Sequence, residues 1–175
     1  MGPQTKMTEK KTAVALSADR VQLQMIKSAL ESDGFRVFTF GSVEDAFKTM
    51  STRTPPAVII SDLHLPDIDG WRFCRLLRSP EYAQFQKTPL LVFSDTIPLD
   101  YANEITLEMG GRGFLKSPFD SATLLAHVHA SIEQMAMPSK ARVLIVEDTR
   151  TQARMLMDVF SSRGYQVASA ANGSE

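Results

Sequence analysis

AVIISDLHLPDIDGW, running from Ala57 to Trp71, is the stretch that decides the fold. It opens with a short apolar run, Val58 to Ile60, and ends that run on one carboxylate, Asp62. A turn-forming segment follows, with Pro66, Asp67, Asp69 and Gly70, and a helical pattern starts at Trp71. A reactive carboxylate at the carboxyl end of a buried strand is where open α/β sheets place their chemistry. The plainer alternative is that Asp62 only caps a turn. The flanking sequence decides between the two.

Upstream, Thr12 to Leu16 is a buried-strand candidate. After it, Val21, Met25, Ile26 and Leu30 recur on one face of a helix, and Gly34 ends that helix. Phe35 to Phe40 reads as a second strand. Ser42 and Asp45 have the spacing of a capping box that opens a second helix, and Pro55-Pro56 stops it before the strand at Val58 to Ser61. Downstream, a third helix spans about Trp71 to Leu77. A polar loop leads to Pro89 and a strand at Leu90 to Phe93. A helix near Pro98 carries Ala102, Ile105 and Met109 on one face, and Gly110-Gly111 closes it. Gly113 to Leu115 is a fifth strand. A fifth helix from about Asp120 buries Leu124, Leu125, Val128 and Ile132. Strands and helices in alternation predict an α/β fold, a parallel sheet covered on both faces.

The chain then begins again. Val143 to Val146 reads as a strand, Gln152 to Arg163 as a helix, and Tyr165 to Ser169 as another strand. The two segments align without a gap from Thr12/Arg142 to Asp45/Glu175. Arg20/Arg150, Gln22/Gln152, Met25/Met155 and Gly34/Gly164 are identical pairs. This predicts a tandem duplication whose second copy stops at Glu175. The expected organisation is a tail at 1–11, a complete domain at 12–136, a linker at 137–141 around Ser139-Lys140, and a truncated copy at 142–175.

The 175 residues are 43% hydrophobic and 22% charged, with a net charge of -1. That composition is globular, and no basic patch points to nucleic acid. One cysteine, Cys74, cannot form an internal disulfide, so a reducing cytoplasm is expected. The polar N-terminus lacks the apolar core of a signal peptide, and no apolar run approaches the roughly 18 residues of a membrane span.

At this point the residues resemble a known family. VLIVEDTRTQARMLMDVFSSRGYQVASAANGSE resembles the start of a receiver domain of bacterial two-component signalling, with Glu147-Asp148 as its acid pair. Residues 12–135 resemble a complete receiver through SDLHLPDIDG, VFSDT and GFLKSPF. The resemblance implies a flavodoxin-like, doubly wound five-stranded sheet of order 2-1-3-4-5. It implies phosphotransfer from a histidine kinase or phosphotransfer protein onto Asp62, the matching phosphoacceptor. Mg²⁺ would take carboxylates from the ends of strands one and three, one backbone carbonyl and water. His64 matches the residue that supplies the carbonyl, Ser94 the hydroxyl that senses the phosphoryl group, and Phe114 the aromatic that turns inward on activation. The same resemblance implies a self-association face at strand four, helix four and strand five, with Tyr101, Glu104 and Glu108 outward. Exchange of the truncated segment between two copies is a second route to a homodimer.

Two positions depart from the family pattern. The first copy has Ser17-Ala18 where the second has Glu147-Asp148, and Ser117 precedes Pro118 where the family has lysine. Charged candidates stand one residue away, Asp19 and Lys116. Two readings follow. Either Asp19 and Lys116 substitute and the domain is an active receiver, or the first site is degenerate and the domain acts as an interaction or regulatory module. A single carboxylate holds a hard dication poorly, which favours the second. Asp95, after Ser94, adds a charge that repels phosphate. The second copy's own phosphoacceptor is expected to fall past Glu175. No enzymatic activity is expected beyond self-phosphorylation at Asp62. A minor alternative is an aspartyl-nucleophile phosphohydrolase of the haloacid-dehalogenase type. Those enzymes carry a second Asp where His64 stands. A flavodoxin-like cofactor binder would need a phosphate loop after Leu16, and SADR is a poor one.

Overall fold

In the computed structural model, the described residues are 10–136, 142–162 and 166–172. The chain divides into two compact units, Met1–Ala136 and Met137–Glu175. The expected linker around Ser139-Lys140 and the helix-ending Gly164 lie outside the described residues.

In the first unit, strands β1 (Thr12–Leu16), β2 (Arg36–Phe40), β3 (Val58–Asp62), β4 (Leu90–Ser94) and β5 (Gly113–Lys116) alternate with helices. The helices are α1 (Arg20–Ser32), α2 (Val43–Met50), α3 (Gly70–Leu77), α4 (Leu99–Glu108) and α5 (Ser121–Ala136). The strands form one parallel sheet of order β2-β1-β3-β4-β5, the flavodoxin-like arrangement. Side chains alternate across a strand, so each strand feeds two cores. Val14, Leu16, Ile59 and Val92 pack with Val43, Phe73, Leu77 and Ala102 of α2, α3 and α4. Ala13, Ala15, Ile60 and Leu91 pack with Ile26, Leu30, Leu124 and Val128 of α1 and α5.

Three details differ from the sequence reading. Val21, expected on the buried face of α1, is 79% exposed. It sits in the helix's first turn, which overhangs the end of β1 where no sheet remains to cover it. In α4, Met109 packs partly buried against the core that holds Ala102, as expected, but Thr106 is the helix's other fully buried residue. Its hydroxyl is satisfied, donating to Ala102 O at 2.7 Å and accepting from Trp71 Nε1–H at 2.9 Å. The supposed polar loop before β4 contains a 3₁₀ helix, Pro80–Phe85, that buries Phe85 completely. Arg78 holds this region, donating to Gly110 O, Phe85 O and Thr88 O, each at 2.9 Å.

The second unit is β6 (Arg142–Val146), α6 (Arg150–Ser162) and β7 (Gln166–Ala170), with β6 and β7 parallel. Its geometry repeats that of β1-α1-β2. Thr12 pairs with Arg36 as Arg142 pairs with Gln166. Ser17 N–H donates to Phe40 O, and the aligned Glu147 N–H donates to Ala170 O. No helix among the described residues is long and apolar enough to cross a membrane.

Candidate functional site

The sheet registers gather the candidate residues at one edge. Leu16 stands beside Ser61, Asp62 beside Phe93, and Ser94 beside Lys116, so the carboxyl ends of β1, β3, β4 and β5 open onto the same surface. Asp62 is the last residue of β3 and is half-buried. The turn after it folds back tightly. Gly70 N–H donates to Leu63 O at 2.9 Å, and a Cβ on Gly70 would lie 2.7 Å from Asp62 O. Only glycine leaves that carbonyl its place.

Both carboxylate oxygens of Asp62 are engaged. Oδ2 accepts from Ser17 Oγ–H at 2.8 Å, and Oδ1 accepts from the His64 backbone N–H at 2.9 Å. Ser17 is 1% exposed, and its Oγ also accepts from Asp19 N–H at 3.1 Å. In the second unit Glu147 Oε1 accepts from Thr149 N–H at 3.0 Å, the aligned bond. A neutral hydroxyl in the first unit thus does the turn-holding work that a carboxylate does in the second. Asp148 Oδ1 accepts from Thr149 Oγ1–H at 3.2 Å.

The two displaced candidates have other engagements. Asp19 Oδ1 caps α1, accepting from Val21 N–H at 2.7 Å and Gln22 N–H at 3.3 Å. Lys116 Nζ donates to Asp95 O and, at 3.0 Å, to Ile97 O. It ties down the β4–α4 loop and does not line the small cavity beside Asp62. That cavity, about 110 Å³, is lined by Asp19, Gln22, Asp62, Ser94, Asp95 and Ser117, with Phe93 beneath. The peptide between Ser117 and Pro118 is cis.

Ser94 is buried, and its Oγ lies 3.0 Å from Thr96 Oγ1. Thr96 Oγ1 lies 2.8 Å from His64 Nε2. His64, Thr96 and Ser94 form a polar chain from the β3–α3 loop to the end of β4. Thr96 escaped the sequence reading although it closes the VFSDT motif. Phe114 is 2% exposed and packs in the core, and its backbone N–H donates to Asn103 Oδ1 at 3.2 Å.

Both Asp62 oxygens and Asp19 Oδ1 at this edge are engaged with protein donors. Mg²⁺ needs an octahedral shell of oxygens. Among the described residues, no group of three His, Cys, Asp or Glu side chains is placed to hold a metal. Among the described residues, Gln22 Nε2, an N–H donor, is buried at the cavity without a partner. A donor of that kind suits an anion and not a cation.

A family model, the response regulator receiver domain, matches residues 17–129. The chain belongs to the response regulator receiver family. The receiver is 31% identical over 112 residues to the KDP operon transcriptional regulatory protein KdpE of Escherichia coli, covering 63% of this chain and 46% of that protein. The chain therefore spans about half the length of that relative. Among solved structures, the chemotaxis response regulator CheY4 of Vibrio cholerae superposes with a TM-score of 0.63 at 24% identity, over 70% of this chain and 99% of that one. The receiver domain of sensor histidine kinase PA1611 from Pseudomonas aeruginosa, solved with a magnesium ion coordinated in its active-site cleft, gives a TM-score of 0.61 at 22% identity, over 71% of this chain and 99% of that one. Receivers are signalling modules that bind Mg²⁺ and work with histidine kinases or phosphotransfer proteins. They are generally not enzymes.

Proposed function

We propose that the first receiver is degenerate toward metal-dependent phosphotransfer and serves as an interaction or regulatory module of a larger regulator. The observation that carries this reading is the Ser17 hydroxyl on Asp62 Oδ2, at the strand-one position where the second copy has Glu147. With Ala18 beside it, strand one ends without an acid, and Asp19 is spent on the α1 cap. The lysine of GFLKSPF is bonded to two loop carbonyls, which commits its ammonium to the β4–α4 loop instead of to a phosphoryl group on Asp62. Phe114 is already inward.

The surface offered is the α4 side. Leu99, Tyr101 and Leu107 are exposed on a helix that also presents Glu104 and Glu108. This supports self-association through β4, α4 and β5. Exchange of the second β-α-β unit is the other route to a dimer. The lone, buried Cys74 suits a reducing cytoplasm.

The competing reading is an active receiver, favoured by Asp62 and Ser94 sharing one cavity. Incubation of the full chain with Mg²⁺ and acetyl phosphate, followed by intact mass, decides between them. The expected result is no phosphoryl adduct above that of Asp62→Asn. An adduct in the parent chain that Asp62→Asn abolishes would falsify degeneracy.

A further inference from the structure

A second cavity of the first unit, larger than the one at Asp62, lies elsewhere on the sheet. It has a volume of about 320 Å³ and lies along β2, beneath α2 and the segment that leads from α2 to β3. Helix α2 has only eight residues. At about 1.5 Å per residue it is shorter than the strands it covers, which leaves the amino ends of β1 and β2 uncapped on that face. Thr12 and Arg36, a paired rung at the start of these strands, mark that end of the cavity. The floor is apolar, made by Val14, Phe38, Phe40, Met50 and Pro56.

Its charge is one-sided. Arg36 and Arg53 both line it, and neither has a carboxylate partner among the described residues. Each guanidinium packs against the Phe38 ring instead, with Cζ at 5.2 Å from the ring centroid for Arg36 and 4.8 Å for Arg53. Stacking on one ring limits the rotation of both side chains and leaves their N–H donors for another acceptor. Among the described residues that line it none is Asp or Glu, and Thr49, Thr52 and Thr54 add hydroxyls at the rim. Both guanidiniums stack on the one Phe38 ring, and an anion that both reach gains charge-assisted hydrogen bonds from each.

From this we infer a second ligand site on the receiver, for a small organic anion with a phosphate or phosphonate head and a flat apolar body. The head meets Arg36 and Arg53, and the body lies on the floor of Phe40, Met50 and Pro56. The volume is at the lower end of the range for small-molecule pockets, about 300–1,000 Å³, which selects a compact ligand. The cavity shares no lining residue with the one at Asp62, and its Arg36 end lies at the amino ends of β1 and β2, so occupancy needs no phosphotransfer.

Phenylphosphonate is a suitable probe, because its carbon–phosphorus bond cannot give up the phosphoryl group to Asp62. Titrated into the isotope-labelled full chain, it is expected to shift the backbone amide signals of Phe38, Thr49, Thr52 and Arg53. Arg36→Gln and Arg53→Gln should each weaken the affinity at least tenfold, with an unchanged thermal midpoint showing that the fold persists. Inorganic phosphate should bind more weakly than phenylphosphonate. The proposal is overturned if the shifts cluster around Asp62, if no shifts occur, if both glutamine variants bind as the parent does, or if inorganic phosphate binds equally well.

Discussion

Ser17 shows how a neutral side chain can hold a turn where the second copy uses an acid. Its hydroxyl accepts from Asp19 N–H and donates to Asp62, so the turn after β1 and the orientation of Asp62 both survive without an acid. Restoring the pair tests this directly. Ser17→Glu with Ala18→Asp is expected to raise Mg²⁺ affinity at least tenfold, about 1.4 kcal/mol, measured by isothermal titration. No gain would mean that the loop backbone, and not the missing acids, excludes the cation. The sequence made this departure legible because the repeat supplied its own comparison at Glu147-Asp148. It could not reveal where the Ser17 hydroxyl points, nor that His64 reaches Thr96, because both contacts are made across the sheet edge. Cys74 carries a second prediction at this scale. Burial, with a lesser push from Asp69, raises its thiol to about 12 against the lowering effect of Arg78. The folded pKa lies above the ordinary 9.0, so the protonated thiol's contribution is whole below pH 9 and is lost as pH rises toward 12. The loss approaches about 1.4 kcal/mol per pH unit within that window. Urea midpoints measured from pH 8.5 to 10.5 should fall more steeply in the parent than in Cys74→Ala.

Helix α2 is held by two separate caps. Ser42 Oγ accepts from Asp45 N–H at 3.2 Å, as the sequence spacing predicts. Asp67 Oδ2, from the β3–α3 loop, accepts from Glu44 N–H at 2.9 Å, a cap across 23 residues that no local pattern encodes. Burial alone would push the Asp67 carboxyl up, but the N–H groups of Glu44, Val43 and Ile68 outweigh it and hold it below its ordinary value. The contribution is therefore present above pH 3.8 and lost as pH falls through the lower folded value. Asp67→Ala is expected to cost about 1 kcal/mol near neutrality, as a lost helix cap does, with the difference shrinking in acid. Chemical denaturation at pH 7 and pH 3 measures both. The elements themselves were readable because strand runs and helical periods are local. What the sequence hid at this scale was long-range, such as Phe85 within a polar segment and the Arg78 bonds to three distant carbonyls.

At the scale of the molecule, the two units differ in how much they bury. The first has a five-stranded sheet with a core on each face. In the second, Leu144 is 65% exposed, and α6 has no buried residue. Apolar surface of that kind favours association. If α4 is the contact, Tyr101→Glu with Leu107→Glu in the full chain should convert a dimer to a monomer in sedimentation equilibrium. A dimer that persists would point to exchange of the second unit. The order of the sheet was legible from the alternation and the family motifs, whereas the partner of α4 is a matter of surface and leaves no period in the sequence. One bond already described gives a way to watch that helix. Trp71 is the chain's single tryptophan, and its indole N–H is held by Thr106 in the last turn of α4. Any ligand or partner that shifts α4 must stretch or break that bond, altering the polarity around the indole. The protein therefore carries a native fluorophore at the joint between α3 and α4, whose emission can be read without a label.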